Sequence, residues 1–160
     1  MPTLMQWLQH NSYVTTFAQT GWMYSTAGVI HYFSLFVLVG TVVLLDLRIL
    51  GVAARSQGIA QLAETLSPWT WTALTLALIS GFSMFATDAT DYFPDLFFRI
   101  KMTVLALAIA FTIIVHRSVP SWDKSPVISK GAKTVALISL VLWVGAILAG
   151  VEIAAISGLG

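Results

Sequence analysis

Residues 28–51 read GVIHYFSLFVLVGTVVLLDLRILG, an apolar run that carries a histidine near its start and closes on Asp-Leu-Arg. A helix needs about 20 mostly apolar residues to cross the hydrocarbon of a bilayer, and this run is long enough. An imidazole inside such a run is expensive to place in lipid and is a functional candidate by default. The stretch therefore predicts a membrane-spanning helix with a polar group, His31, inside it.

The composition extends this prediction to the whole chain. Of the 160 residues, 58% are hydrophobic and only 9% are charged, and the mean hydropathy is +0.86. A soluble domain carries about a quarter charged residues. Apolar segments of spanning length occupy residues 27–45, 68–86, 97–115 and 135–156. The sequence predicts an all-α fold, a four-helix transmembrane bundle in a lipid bilayer that forms a single domain over residues 27–160.

The first 26 residues are of a different kind. They are semi-polar, with Leu4, Trp7 and Leu8 at helical spacing and further aromatic residues suited to the headgroup region. We expect residues 1–26 to lie along the membrane surface as an interfacial amphipathic helix.

The positive charges predict the orientation. Six of the eight basic residues fall in or beside the first and third loops, and only Arg99 and Lys101 lie near the second loop. Basic loops remain in the cytoplasm. The sequence therefore predicts a multi-pass protein of the bacterial inner membrane with both termini outside. Asp46, at the cytoplasmic end of the first span, is expected to cap a helix or to pair with a loop.

Ionisable and soft side chains from all four predicted helices converge at one depth. Counting 1.5 Å per residue from the cytoplasmic helix ends places them about 22 to 28 Å up, in the outer third of the membrane. They are His31, Met84, Lys101 and Glu152. Each also has an ordinary explanation, since an imidazole can hold two helices together and a lysine can reach the headgroups. As a group they predict an outer-side polar site around His31, with Lys101 and Glu152 as its charged members.

Imidazole and thioether are the candidate ligands of this site. Both suit Cu(I), and a methionine with a histidine also ligates haem. The chain has no cysteine, which excludes thiolate sites and covalently attached haem. The sequence predicts haem b or copper at His31, or no cofactor at all. For copper the ligands are His31 and Met84, whereas for haem the second ligand is Met84, His10 or Met23.

Small residues recur every four positions in the last predicted helix. Ala146, Gly150 and Ala154 form a stripe that lets another helix approach closely. We expect this stripe to pack against a helix of the same chain or of a neighbouring chain. The short helices offer little polar surface, which favours a homo-oligomer or a subunit of a membrane complex.

Several stretches resemble an uncharacterised family of small four-helix bacterial inner-membrane proteins. They are IHYFSLFVLVGTVVLLDLRILG (30–51), SGFSMFATDATDYF (80–93), FFRIKM (97–102) and LWVGAILAG (142–150). The layout is also distantly similar to CopD-type copper-resistance proteins and to four-helix b-type cytochromes. The chain departs from the resemblance at Gly28, where members often have an acidic residue. It departs again at Val151, followed by Glu152, where they often have an arginine.

The sequence leaves three functions open. The first is a redox or metal-binding membrane protein that holds haem b for electron transfer or relays Cu(I). The second is a non-catalytic membrane anchor or assembly subunit, and the third is a small transporter, ranked last because no inverted repeat is evident. No phosphate-binding glycine loop, nucleophile with a base, or basic patch is present. The chain is therefore not expected to be an enzyme by itself or to bind nucleic acid.

Overall fold

The computed structural model describes residues 3–124 and 127–157, with side chains described as far as residue 150. All regular secondary structure in these ranges is helical, and four of the helices are long and apolar enough to cross a membrane. This confirms the predicted all-α bundle. In chain order the helices are α1 (Leu4–Gln9), α2 (Ser12–Gln19), α3 (Gly21–Leu50), α4 (Ile59–Thr87), α5 (Ala89–Tyr92), α6 (Leu96–Trp122) and α7 (Lys130–Ser157).

The long helices extend beyond their apolar centres. Helix α4 begins at Ile59, nine residues before the predicted span. Its first turns belong to the protein core, because Ile59, Leu62 and Ala63 recur at three- and four-residue spacing and are all buried. Pro68 therefore lies inside the helix, at an exposed position. It removes one intrahelical hydrogen bond without ending the helix.

The N-terminal segment forms two short helices rather than one. The break comes after His10, where the side chain of Asn11 accepts a hydrogen bond from the Tyr13 amide (3.0 Å) and so caps α2. The segment is held to the chain beyond α4, because the Gln9 side-chain oxygen accepts from the Thr90 amide (3.1 Å) and hydroxyl (2.6 Å). Helices α1, α2 and α5 thus share one end of the bundle, called here the N-terminal end.

The opposite end, called here the basic end, contains the loops at residues 51–58 and 123–129. Helix α3 ends at Leu50, and the positive φ of 80° at the following Gly51 turns the chain so that the Val52 amide donates to the Leu47 carbonyl at 2.9 Å. The Asp123 carboxylate accepts hydrogen bonds from the amides of Ile59 (3.1 Å) and Ala60 (3.4 Å). A residue that follows α6 thereby caps the start of α4 and holds the two loops together.

The four long helices surround a core whose centre is Trp143. Helix α3 packs against α4 and α7, and α6 packs against α7 and α4, so the order around the bundle is α4, α3, α7, α6. Trp143 is completely buried, and its indole nitrogen donates to the Thr112 hydroxyl at 2.9 Å. Because α3 and α6 are diagonal to each other, side chains from both point towards the centre of the bundle.

Candidate functional site

His31 on α3 is bonded to the backbone of α4. Its Nδ1 lies 3.0 Å from the Ala77 carbonyl oxygen and 3.2 Å from the Ser80 hydroxyl. A carbonyl can only accept, and Ser80 donates its own hydrogen to the Leu76 carbonyl at 2.6 Å. Nδ1 must therefore carry the proton. In the neutral ring this leaves Nε2 unprotonated, with its lone pair available to a donor or a metal.

Gly81 makes this position of the ring possible. A β-carbon at residue 81 would lie 2.8 Å from Cε1 of His31 and 3.2 Å from Nδ1. Real β-carbons essentially never approach another heavy atom that closely. The glycine lets the imidazole lie directly against the α4 backbone, and the Ala77 carbonyl then fixes its orientation.

Met84 lies one turn beyond this contact on the same face of α4. Ala77, Ser80, Gly81 and Met84 follow the three- and four-residue spacing of one helix face. Nearer the basic end, the Thr70 hydroxyl on α4 donates to the Thr41 hydroxyl on α3 over a distance of 3.0 Å. This bond and the His31 contact together set the antiparallel register of α3 and α4. In that register the half-buried Met84 is level with Ala27, one turn closer to the N-terminal end than His31.

Lys101 reaches this region from α6. Its side chain lies against Gly150 of α7, where a β-carbon would be 3.9 Å from Cε. Glu152 and Ala154 continue α7 beyond that point, but their side chains lie outside the described part of the chain. Within it, His31, Met84 and Lys101 come from three helices in the N-terminal half of the bundle.

The other predicted ligands lie further away. His10 is exposed, and its Nδ1 bonds to the Gln6 carbonyl of its own helix at 2.8 Å. Met23 is eight residues before His31 on α3, about 12 Å along the helix axis. His116, which is not one of the predicted ligands, lies in the basic half, where its Nδ1 bonds to the Thr112 carbonyl at 3.0 Å and its ring packs on Trp71 with centroids 5.3 Å apart. Among the described residues no group of three or more histidine and acidic side chains could hold a metal ion.

The small-residue stripe of α7 faces α6 of the same chain where it is described. Gly150 lies against Lys101, and one turn earlier Ala146 is half-buried. A β-carbon at the neighbouring Gly145 would lie 3.8 Å from a methyl group of Val104. A β-carbon at either glycine would thus be in ordinary van der Waals contact with α6.

Asp46 corrects an expectation from the sequence. It neither caps a helix nor pairs with a loop, because its side chain is completely buried and neither oxygen has a hydrogen-bond partner in the described chain. The signal was present in the sequence: Val42, Leu45, Asp46 and Ile49 follow the spacing of one helix face, and all are buried. An aspartate that shares a face with three core residues points inwards.

A comparison with known families gives one match. The profile described as "Family of unknown function (DUF6644)" matches residues 4–155 of the chain. No curated protein and no solved structure matches it. The matched range includes α3, α4 and α6, all but the last two residues of α7, and nearly all of the N-terminal segment.

Proposed function

The chain belongs to the DUF6644 family, whose function is unknown, and we propose that it is an integral membrane protein with a redox-active metal site at His31. The observation that carries this proposal is the hydrogen bond from Nδ1 of His31 to the Ala77 carbonyl. Metal-ligating histidines commonly donate one ring nitrogen to a carbonyl and bind the metal through the other. That bond selects the tautomer and orients Nε2 before any metal arrives.

Copper(I) is the ion that the neighbouring side chains favour. Met84 lies one turn from the His31 contact on the same face of α4 and is half-buried. Thioether and imidazole groups are soft ligands that select Cu(I) over the hard cations that bind carboxylates. In this proposal Nε2 of His31 and the sulfur of Met84 hold the ion, Gly81 leaves room for the imidazole, and the Ala77 carbonyl keeps it in place.

Haem b is the second candidate, and Lys101 is the observation that favours it. Lys101 lies on α6, on the opposite side of the bundle from α3, and its ammonium is suited to a haem propionate. Met84 would not be the sixth ligand. A porphyrin between His31 and Met84 would have to separate α3 from α4, which are in hydrogen-bond contact at His31. If the protein holds haem, Nε2 of His31 would be its ligand and Lys101 would pair with a propionate.

We further infer that this site faces the outside of the bacterial inner membrane. The inference rests on the positive-inside rule and on the clustering of Arg55, Arg117 and Lys124 at the basic end. The N-terminal end, which is nearer to His31, would then be outside, as would both termini. The distant similarity in layout to CopD-type proteins and b-type cytochromes is compatible with such a site and stays a prediction.

The experiment is the metal and haem content of the purified wild-type protein. We expect either about one copper ion per chain after exposure to Cu(I), or a Soret band that shifts on reduction. Protein that binds neither copper nor haem after reconstitution with both would contradict the proposal. That result would instead favour the alternative function, a non-catalytic anchor or assembly subunit in which His31 joins α3 to α4.

A further inference from the structure

A second polar site lies in the basic half of the bundle, at the contact between α3 and α7. Asp46 and Ser139 are both completely buried. The two carboxyl oxygens of Asp46 and the hydroxyl of Ser139 have no hydrogen-bond partner among the described residues. The Ser139 hydroxyl lies beside the Asp46 carboxyl without meeting hydrogen-bond geometry, so the two unsatisfied groups are neighbours.

The surroundings of this pair are apolar. Leu45, Ile49, Val115, Val119 and Ala136 belong to the hydrophobic cluster of the basic half. A polar side chain in such a place normally has its hydrogen bonds satisfied, and an unpaired ionised carboxylate is far more costly than an unpaired neutral group. The burial of the pair therefore raises the question of which group neutralises the charge of the Asp46 carboxylate.

No cationic side chain in the described chain does so. Arg48, on the same helix, donates to the Gln57 carbonyl at 2.7 Å. His116 on α6 donates from Nδ1 to the Thr112 carbonyl, its ring packs on Trp71 of α4, and its buried Nε2 has no hydrogen-bond partner in the described chain. The remaining ionisable groups near this level of the bundle are exposed: Glu64 on α4, Arg117 on α6, and Lys130 and Lys133 on α7.

A metal cation does not fit the site either. Hard cations take about six oxygen ligands. The pair offers one carboxyl group and one hydroxyl, and no cluster of three acidic or histidine side chains exists among the described residues. A proton needs only one carboxyl oxygen and one acceptor, and the site supplies both.

We propose that Asp46 is a proton-binding site, held as a neutral carboxylic acid at neutral pH that donates its O–H to the Ser139 hydroxyl. The bond links α3 to α7 in the basic half of the bundle, far from His31. Loss of the proton would leave an unpaired charge between two core helices. Asp46 thus gives the bundle a protonation-dependent contact that is independent of the proposed metal site.

The test is infrared difference spectroscopy on the full-length protein in lipid vesicles at neutral pH. A protonated carboxylic acid has a carbonyl band separate from the bands of carboxylates, and the band shifts in D₂O. We expect this band in the wild type, its loss in Asp46→Asn, and its retention in Asp123→Asn, whose carboxylate is exposed and capping α4. Absence of the band from the wild type, or its persistence in Asp46→Asn, would overturn the proposal.

Two further measurements keep the test decisive. If Asp46→Asn fails to fold, Ser139→Ala should shift the carbonyl band by removing the acceptor, and an unshifted band would overturn the proposed bond. Replacing choline by Na⁺ in the buffer should leave the wild-type band unchanged. Loss of the band in Na⁺ would mean that the carboxylate binds a cation and not a proton.

Discussion

Gly81 of α4 lies so close to the His31 imidazole that a β-carbon there would stand 2.8 Å from Cε1. The ring cannot easily move away, because its Nδ1 is bonded to the Ala77 carbonyl of the same helix. The His31 site therefore requires a glycine at residue 81. It allows an imidazole on one helix to lie against the backbone of another.

Gly81→Ala is expected to destabilise the protein by about 1–3 kcal/mol, because overpacking a tight contact forces side chains or backbone to shift. The matched control is Gly40→Ala in α3, where a β-carbon would meet no atom within 4 Å. Alanine is the better helix former by about 0.5–1 kcal/mol, so this control should be neutral or stabilising. Thermal unfolding in detergent compares the two. Equal melting temperatures for both variants would show that the contact at Gly81 is not tight.

The cap that Asp123 places on α4 gives a second prediction. Asp123→Ala removes the acceptor for the Ile59 amide and should reduce stability by about 0.5–2 kcal/mol, as the loss of helix caps does. Asp123→Asn keeps a side-chain oxygen and should stay within about 0.5 kcal/mol of the wild type. Thermal unfolding of the two variants provides the comparison. Equal melting temperatures for Asp123→Ala and Asp123→Asn would show that the Asp123 cap contributes nothing to stability.

The proposed orientation can be tested by single cysteine substitutions, because the chain contains no cysteine of its own. Ser56→Cys lies in the loop of the basic end, and Asp91→Cys lies on α5 at the opposite end; both positions are exposed. With the basic end in the cytoplasm, a membrane-impermeant maleimide should label residue 91 in intact cells and residue 56 only after lysis. Labelling of residue 56 in intact cells would reverse the orientation.

Hydropathy predicted the four spans, and helix spacing with depth counting brought His31 and Lys101 to the same half of the bundle. Rotation about the helix axes was harder to predict. In a membrane both the lipid-facing and the core-facing sides of a helix are apolar, so a spanning helix lacks the polar face that orients a helix of a soluble protein. Tyr32 and Phe33, for example, are exposed beside the half-buried His31.

One feature of the His31 site lies beyond composition and spacing. The role of Gly81 depends on the distance between two backbones, which sequence spacing within one helix does not contain. Hydropathy does not predict the start of α4 at Ile59, because residues 59–67 include polar side chains and are less hydrophobic than a membrane-spanning segment. Their three core residues still follow a helical spacing. The inward position of Asp46, in contrast, could have been predicted from the buried face that it shares with Val42 and Ile49.

The most direct test of the metal site is the copper and haem content of His31→Gln measured beside wild type. Glutamine retains an amide N–H that can donate to the Ala77 carbonyl, but it is a far poorer metal ligand than imidazole. The matched control is His116→Gln, which changes a half-buried histidine in the basic half. We expect His31→Gln to lose at least about 10-fold in metal or haem affinity, because loss of even an outer-shell partner of a metal ligand costs about 10- to 100-fold. His116→Gln should bind like the wild type. Equal binding by His31→Gln and the wild type would contradict the account.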